Sequence, residues 1–262
     1  MSDMVEVAKV LKVKSSALTT SFRYPHIMVG RLPTFELPPP ATIYGHLCGV
    51  IGEWFNPRGL QFAYVFTHQG IGEDIELGQM LEVNYNKRDK NLGGLPRNVE
   101  GSLNPQKRRF LFKPQMTLYL KGPEDLLQQF KESFLSPRFS YILGRSQDLA
   151  TCHSVEWVEI NVSEKAFYSH TILPWSLRPW IFPGEPVYMP ETINYQKLRE
   201  PKFNRYLQLG QRPLRVFGNG KEEDIISREP LGELLVDNSE TQIFFDCELP
   251  RGIWFHNIRG ID

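Results

Sequence analysis

Two short stretches carry most of the chemistry legible in this chain. In SFRYPHIMVGR, residues 21–31, Phe22 and Tyr24 interleave with Arg23 and Arg31. Aromatic rings stack on unpaired bases and guanidinium groups neutralise phosphates, so the mixture suits single-stranded RNA. In LGRSQD, residues 143–148, Gly144 is free to take a positive φ. The backbone amides of Arg145 and Ser146 would then face an anion, and the Arg145 guanidinium would add a bidentate phosphate contact. A plain tight turn accounts for the same residues as readily.

Metal and nucleotide-cofactor chemistry find little support. There is no CxxC, no HExxH and no pair of histidines four residues apart; the six histidines stand at 26, 46, 68, 153, 170 and 256. The GNGK at 218–221 lacks the glycine that a phosphate-binding loop needs where Arg215 stands and the hydroxyl it needs where Glu222 stands. Neither GxSxG nor GxGxxG occurs, so no cofactor is called for. A metal-free ribonuclease would use tyrosine, histidine and lysine as general acid and base. Tyr24, His26, Tyr44, His46 and Lys113 are the candidates, and no spacing selects a set among them.

The elements that must position these groups come from an ordinary globular composition. The chain has 262 residues, 41% apolar and 23% charged, which suits one large domain or two unequal ones and excludes wholesale disorder. No apolar run approaches the eighteen residues of a membrane span, and the N-terminus lacks a basic stretch followed by an apolar block. Three cysteines, at 48, 152 and 247, are too few and too far apart for a disulfide framework; a reducing cytoplasm fits. Net charge is zero, with 30 basic and 30 acidic residues, but the charge is segregated. Residues 84–114 hold eight basic groups against two acidic, and 197–215 hold six against one. The acid lies in 36–83 and 219–240. Such segregation can make a phosphate-binding surface on a neutral protein, the plain alternative being solvated basic loops.

Periodicity predicts a strand over 5–16, then a long polar-aromatic connection over 17–39. A helix follows Pro39-Pro40 through Ile43, Leu47, Val50, Ile51 and Trp54, stopping at Asn56-Pro57. Its row of glycines at 45, 49 and 52, each costing about 1 kcal/mol against alanine, predicts a closely packed backbone on that face. Strands are expected over 61–68, 79–85, 108–121 and 155–162, with a second helix opened by Pro123 and ended by Ser136-Pro137. The order β-α-β-β-α-β describes an α+β domain of ferredoxin-like or RNA-recognition type over 1–163. Seven prolines between 174 and 213, separating short alternating runs, predict a smaller β-rich subdomain over 164–262. Residues 86–107 read as a basic arm projecting from a β-hairpin, spanning about 84–110. Lys87, Arg88, Lys90, Arg97, Lys107, Arg108 and Arg109 would track a phosphate backbone, with Leu92, Leu95 and Val99 wedging against bases.

The stretch ALTTSFRYPHIMVGRLPTFELPPPATIYGHLCGVIGE, taken with YILGRSQDLA, resembles the CRISPR-associated "Cas five" family of the RAMP superfamily, in the form found with type I-B systems. The resemblance implies a ferredoxin-like domain with a long β-hairpin thumb, which 86–107 would form, and a variable C-terminal part. It implies a cytoplasmic, prokaryotic subunit of the Cascade surveillance complex that caps the crRNA filament and grips its repeat-derived 5′ handle. The implied partners are the crRNA, the first backbone subunit and the large subunit, with target DNA inside the complex left open and no membrane. The RNA-contacting set it implies is Phe22, Arg23, Tyr24, Arg31 and Tyr44 with Gly144, Arg145 and Ser146, joined by the cations of the arm. One branch of the family, in type I-C systems, cleaves precursor crRNA with a Tyr, Lys and His set in which Lys and His are adjacent. This chain has no Lys-His pair, and Lys113 is followed by Pro114. The expectation is a non-catalytic RNA-binding subunit; the rival is a metal-independent endoribonuclease of precursor crRNA.

Overall fold

Val10, Leu11, Lys12 and Val13 are all buried in the first strand, β1 (Ala8–Ala17), so that strand is covered on both faces. The computed structural model describes residues 8–27, 30–217, 231–244 and 247–260. After β1 the chain makes four two-residue pairings: β2 (Thr19–Thr20), β3 (Phe22–Arg23), β4 (Arg31–Leu32) and β5 (Thr34–Phe35). Helix α1 (Pro40–Ile51) follows, started by a proline in its first turn and ended by Gly52 in the left-handed conformation, φ 89°. Then come β6 (Gln61–Thr67), the hairpin strands β7 (Gly70–Asp89) and β8 (Leu95–Phe112), and β9 (Gln115–Lys121). Helix α2 (Glu124–Leu135) carries two carboxylates in its first turn, where the helix dipole favours them. Strand β10 (Ala150–Ser163) completes this part.

The strands β10, β1, β9 and β6 lie side by side in that order, each pair antiparallel. In chain order of the four, the sheet reads fourth, first, third, second. Ile43, Leu47 and Val50 of α1 and Leu127, Phe130 and Phe134 of α2 bury against Leu11, Val13, Leu118 and Leu120 on one face. On the other face Val10, Tyr119 and Ile160 are covered by Ile253 and its neighbours near the C-terminus.

Two sequence expectations change here. The strand expected over 108–121 is broken at Lys113, whose φ is 47°, and at Pro114, which has no amide to give to a ladder. The strand expected over 79–85 and the connection over 86–107 are one hairpin, paired from Gly70 and Phe112 out to Asp89 and Leu95. Its polar residues and its Pro96 and Pro105 hid the ladder, because a two-stranded ribbon leaves outer edges where prolines are tolerated and backbone bonds need no apolar side chain.

The C-terminal half is built of β11 (Ala166–Tyr168), β12 (Thr171–Pro174), β13 (Glu185–Asn194), β14 (Glu200–Leu209), β15 (Leu214–Val216), β16 (Leu234–Phe244), β17 (Cys247–Gly252) and β18 (His256–Asn257). Strands β15, β11, β17 and β16 extend the first sheet beyond β10, and β18 extends it beyond β6. A separate sheet runs β12, β14, β13. At the first of these junctions Lys12 is buried with its ammonium 2.6 Å from Asp237 and 2.8 Å from Glu240. Tyr119 donates its hydroxyl to the same Asp237 at 2.9 Å, and Arg251 pairs with Glu240 at 2.9 Å.

The glycine row also reads differently. A Cβ on Gly49 would meet nothing within 4 Å, and one on Gly45 only the Tyr195 hydroxyl at 3.8 Å. Among the described residues no backbone packs on that face; the two glycines line an open cleft. Gly52 alone is crowded, since a Cβ there would collide with the Arg138 side chain, and its positive φ is the helix cap.

Candidate nucleic-acid interface

The segment 21–25, the first turn of α1, the loop 141–149 and the β13–β14 turn converge on one groove. Arg23, Thr42, Gly144, Arg145, Tyr195 and Arg199 line it. Thr42, Gly144 and Tyr195 continue into the cleft floored by Gly45 and Gly49, so the two form a single trough.

The loop is fixed from within. Leu143 donates its amide to Asp148 at 3.0 Å, Asp148 to Arg145 at 3.0 Å, and Ala150 to Tyr141 at 2.9 Å. Gly144 has φ 106°, and a Cβ there would collide with the Thr20 hydroxyl, which itself donates to the Leu143 carbonyl. Glycine is required at this position on both counts. The loop closes on the buried Asp148 carboxylate. It accepts from the Thr19 hydroxyl at 2.9 Å, from the Arg145 amide at 3.0 Å, and from the Arg145 guanidinium twice at 2.8 Å. The expected anion cradle is therefore filled by the protein itself: both the Arg145 amide and its guanidinium fork serve Asp148. The remaining guanidinium nitrogen pairs with Glu76 on the hairpin. The Asp148 hydrogen bonds, outweighing partial burial, hold the Arg145 pKa above its already high ordinary value. Ser146 is exposed beside it.

The hairpin's cations divide at its root. Arg108 is buried, with Nε 2.5 Å from Glu76, and Arg31 is paired with Glu73 at 2.7 Å. Three guanidinium groups (31, 108, 145) thus meet three carboxylates (73, 76, 148), and part of the segregated charge of the sequence is cancelled at the root, where β8 lies between β7 and β4. Lys107 and Arg109 project exposed from β8, as do Arg88 and Lys90 near the tip, where Arg88 donates to the Gly94 carbonyl at 3.3 Å. Lys87 and Arg97 lie on the hairpin strands, and their side chains fall outside the described residues, as do those of Leu92, Leu95 and Val99. The 218–221 stretch also lies outside them.

The aromatic candidates separate likewise. Phe22 is buried edge-on to Phe66 with ring centres 5.4 Å apart, so it belongs to the core and offers no face to a base. Tyr44 is buried and donates its hydroxyl to the Phe55 carbonyl at 2.9 Å; burial raises its pKa well above the ordinary phenol value. Tyr24 stays half-buried, stacked on Phe35 at 3.8 Å, and His26 is exposed with its ring 5.8 Å from that of Tyr24. Of the acid-base candidates, Tyr44 and His46 line different clefts. Burial pushes the His46 pKa down to about 4 against the opposing effect of its hydrogen bond to the Ile142 carbonyl. Lys113 is exposed over the ring of Phe112 at 5.5 Å.

Tyr195 and Arg199 were invisible to pattern reading. They sit in the β13–β14 turn, which Asn194 opens by accepting from the Gln196 and Lys197 amides, and where Leu198 and Arg199 take φ of 50° and 61° though neither is glycine or asparagine. Arg199 lies 6.0 Å over the Tyr195 ring.

The sequence model of the CRISPR-associated protein (Cas_Cas5) family matches residues 10–215. Among solved structures, a chain of a CRISPR RNA-guided surveillance complex is similar at 12% identity, covering 79% of this chain and 90% of that one, with a TM-score of 0.49. A CRISPR protein from Archaeoglobus fulgidus shares 11% identity over 78% and 87% of the two chains, TM-score 0.42. A chain of a Type III-B Cmr-beta complex bound to cognate target RNA and AMPPnP shares 10% over 77% and 84%, TM-score 0.46. No curated protein matches the chain.

Proposed function

The chain belongs to the CRISPR-associated Cas5 family, and from that premise we propose that it is a non-catalytic RNA-binding subunit of a type I Cascade surveillance complex, of type I-B form. In this reading it grips the crRNA 5′ handle, caps the backbone filament, docks the backbone and large subunits, and works in the prokaryotic cytoplasm. The domain is read as ferredoxin-like, supported by the antiparallel order β10-β1-β9-β6 with both helices on one face. Residues 164–262 are read as its smaller β-rich extension.

The observation that carries the reading is the groove in which Arg23 and Arg199 flank an aromatic wall at Tyr195. Among the described residues Arg23 makes no ion pair, and Arg199 faces only the Tyr195 ring. Two cations of that kind beside a ring suit a phosphate-base-phosphate run. Arg145 serves such a ligand by holding the loop in shape through Asp148, and by tying the loop to the hairpin through Glu76. A strand of RNA in the groove would leave it along the exposed Lys107 and Arg109.

Purified protein incubated with its own repeat RNA in EDTA tests this. Retention of intact RNA is expected. A discrete cleavage product, lost in His26→Ala or Lys113→Ala, would replace the reading with the endoribonuclease.

A further inference from the structure

The solvent-facing side of the β13–β14 hairpin carries an arrangement that the groove does not use. Tyr188 and Phe203 stack with ring centres 5.2 Å apart and planes at 8°. Tyr188 is 56% exposed, so a ring covered on one side by Phe203 still presents most of its surface to solvent. His26, exposed, meets Phe203 edge to face with ring centres 5.7 Å apart, and Tyr24 lies 5.8 Å beyond it. The pairing register sets Tyr188 opposite Arg205 and Pro190 opposite Phe203 on one face. The reverse face sends Val187, Met189 and Tyr206 into the main core. Arg205 is exposed, 5.9 Å over the Trp175 ring. From Pro186 to Pro190 and from Phe203 to Leu207 the register puts no carboxylate on this outer face.

An exposed ring backed by a second, partly buried one, on a stretch of sheet face without a carboxylate and with a guanidinium beside it, has the parts that hold unpaired bases in sheet-based RNA-binding modules. A protein partner would be met equally well by aliphatic side chains, and over 186–190 and 203–207 this outer face exposes just the Pro186 ring. We propose that Tyr188 and Phe203, edged by His26, form a base-stacking platform for single-stranded RNA. It lies outside the groove but continues from it. Arg23, in the groove, and His26, at the platform, are three residues apart across a turn closed by the Ile27 amide on the Tyr24 carbonyl at 3.2 Å, so their Cα atoms lie within about 10 Å and one or two nucleotides bridge the two. The inference rests on the RNA-binding reading above and extends it by a sequence-independent site: stacking tolerates any base, whereas the groove holds a fixed segment.

The test uses the full chain and a fluorescently labelled twelve-residue oligouridine, read by anisotropy. Tyr188→Ala should weaken binding at least about five-fold while leaving the salt slope unchanged, because no phosphate contact is lost. Tyr188→Phe should bind as the parent does, since the ring and not the hydroxyl stacks. Tyr188→Trp should give an indole emission quenched on titration with the RNA. Parental affinity in Tyr188→Ala together with an unquenched indole, while Arg23→Ala still binds more weakly, overturns the platform and leaves the groove reading standing. No RNA binding by the parent chain overturns both. Tighter binding of oligothymidine DNA than of oligouridine, lost in Tyr188→Ala, overturns the commitment to RNA.

Discussion

Two clusters of charge in this molecule have the same chemistry and different surroundings. At Lys12, an ammonium with 4% of its side chain exposed meets the Asp237 and Glu240 carboxylates beneath the C-terminal strands. At Arg145, a guanidinium with 15% exposed meets Asp148 and a more open Glu76 at the root of the hairpin. Glu240 and Glu76 are both partly open, at 23% and 29%, so the difference lies in the cation, which is drier at Lys12 than at Arg145. Removing one partner from a dry cluster strands a charge, which costs several kcal/mol; at a wet one, solvent takes over. The first cluster therefore fastens the C-terminal strands to the sheet, whereas the second orients a loop and a hairpin against each other at little cost in stability.

The largest effect separating them is Lys12→Met. It strips Asp237 of its cation beside a buried Tyr119, leaves Glu240 to Arg251 alone at close range, and should cost about 3–5 kcal/mol in a urea melt. The matching change at the wetter cluster, Glu76→Gln, removes the charge facing the buried Arg108 but keeps an amide oxygen there, and should cost less, about 1–3 kcal/mol, while loosening hairpin and loop, seen as faster amide exchange over 143–149. Equal losses at the two sites would abolish the distinction.

Acid probes the same contrast. Burial lowers the His46 and His256 pKa values to about 4, against the hydrogen bonds they make to the Ile142 and Ile172 carbonyls. Their folded values lie below the unfolded value near 6.5, so the stability tied to the neutral rings is whole above about 6.5 and is lost as pH falls towards 4. The melting temperature should decline over that range, and the double variant His46→Gln, His256→Gln should flatten the decline. A second fall should begin only below about pH 4. Burial alone would raise the Asp237 and Glu240 carboxyls, but the Lys12 and Ser239 hydrogen bonds at Asp237, and the Lys12 contacts at Glu240, prevail and hold both low. That stability is present above the unfolded carboxyl values and goes as pH drops through the folded ones.

A smaller effect concerns RNA. Lys107→Ala with Arg109→Ala removes two exposed cations and should flatten the slope of log K against log salt by about 1.4. Arg108→Ala should instead lower stability with little change in slope, because its guanidinium is buried on Glu76. An unchanged slope in the double variant would put Lys107 and Arg109 at a protein contact.

Helices and sheet strands were legible because their signals are local: Pro123 with two carboxylates starts α2, and Leu127, Phe130 and Phe134 mark its buried face. The site was legible only in part. Gly144 could be read because the need for positive φ selects a residue type, but the ligand of Arg145 could not, since Asp148 competes with any phosphate for the same fork and sequence does not rank the two. Phe22 and Tyr44 look like stacking rings in a pattern of types; their burial is decided by distant residues such as Phe66 and Phe55. The charge segregation was real along the chain and is cancelled in space only at the hairpin root, where paired strands bring acid to base; Lys107 and Arg109 stay exposed. Tyr195 and Arg199 went unseen since a turn formed by Leu198 and Arg199 breaks the residue preferences that announce turns.

The last and smallest effect turns on Gly49. Inside an exposed helix, glycine to alanine is worth up to about 1 kcal/mol of added stability, since the methyl restricts the unfolded chain and costs the folded one nothing. A close backbone contact would reverse the sign. With nothing within 4 Å of the added carbon, Gly49→Ala should raise the melting temperature by a few degrees. The same methyl points into the cleft that continues from the groove, so RNA retention supplies a second readout. Stabilisation with parental RNA binding means the space is idle. Stabilisation with weaker binding means that an RNA group occupies it, and the glycine is kept for the ligand rather than for the fold. Destabilisation would mean that the helix face is tighter than its geometry shows, and would restore the packing explanation for the glycine row.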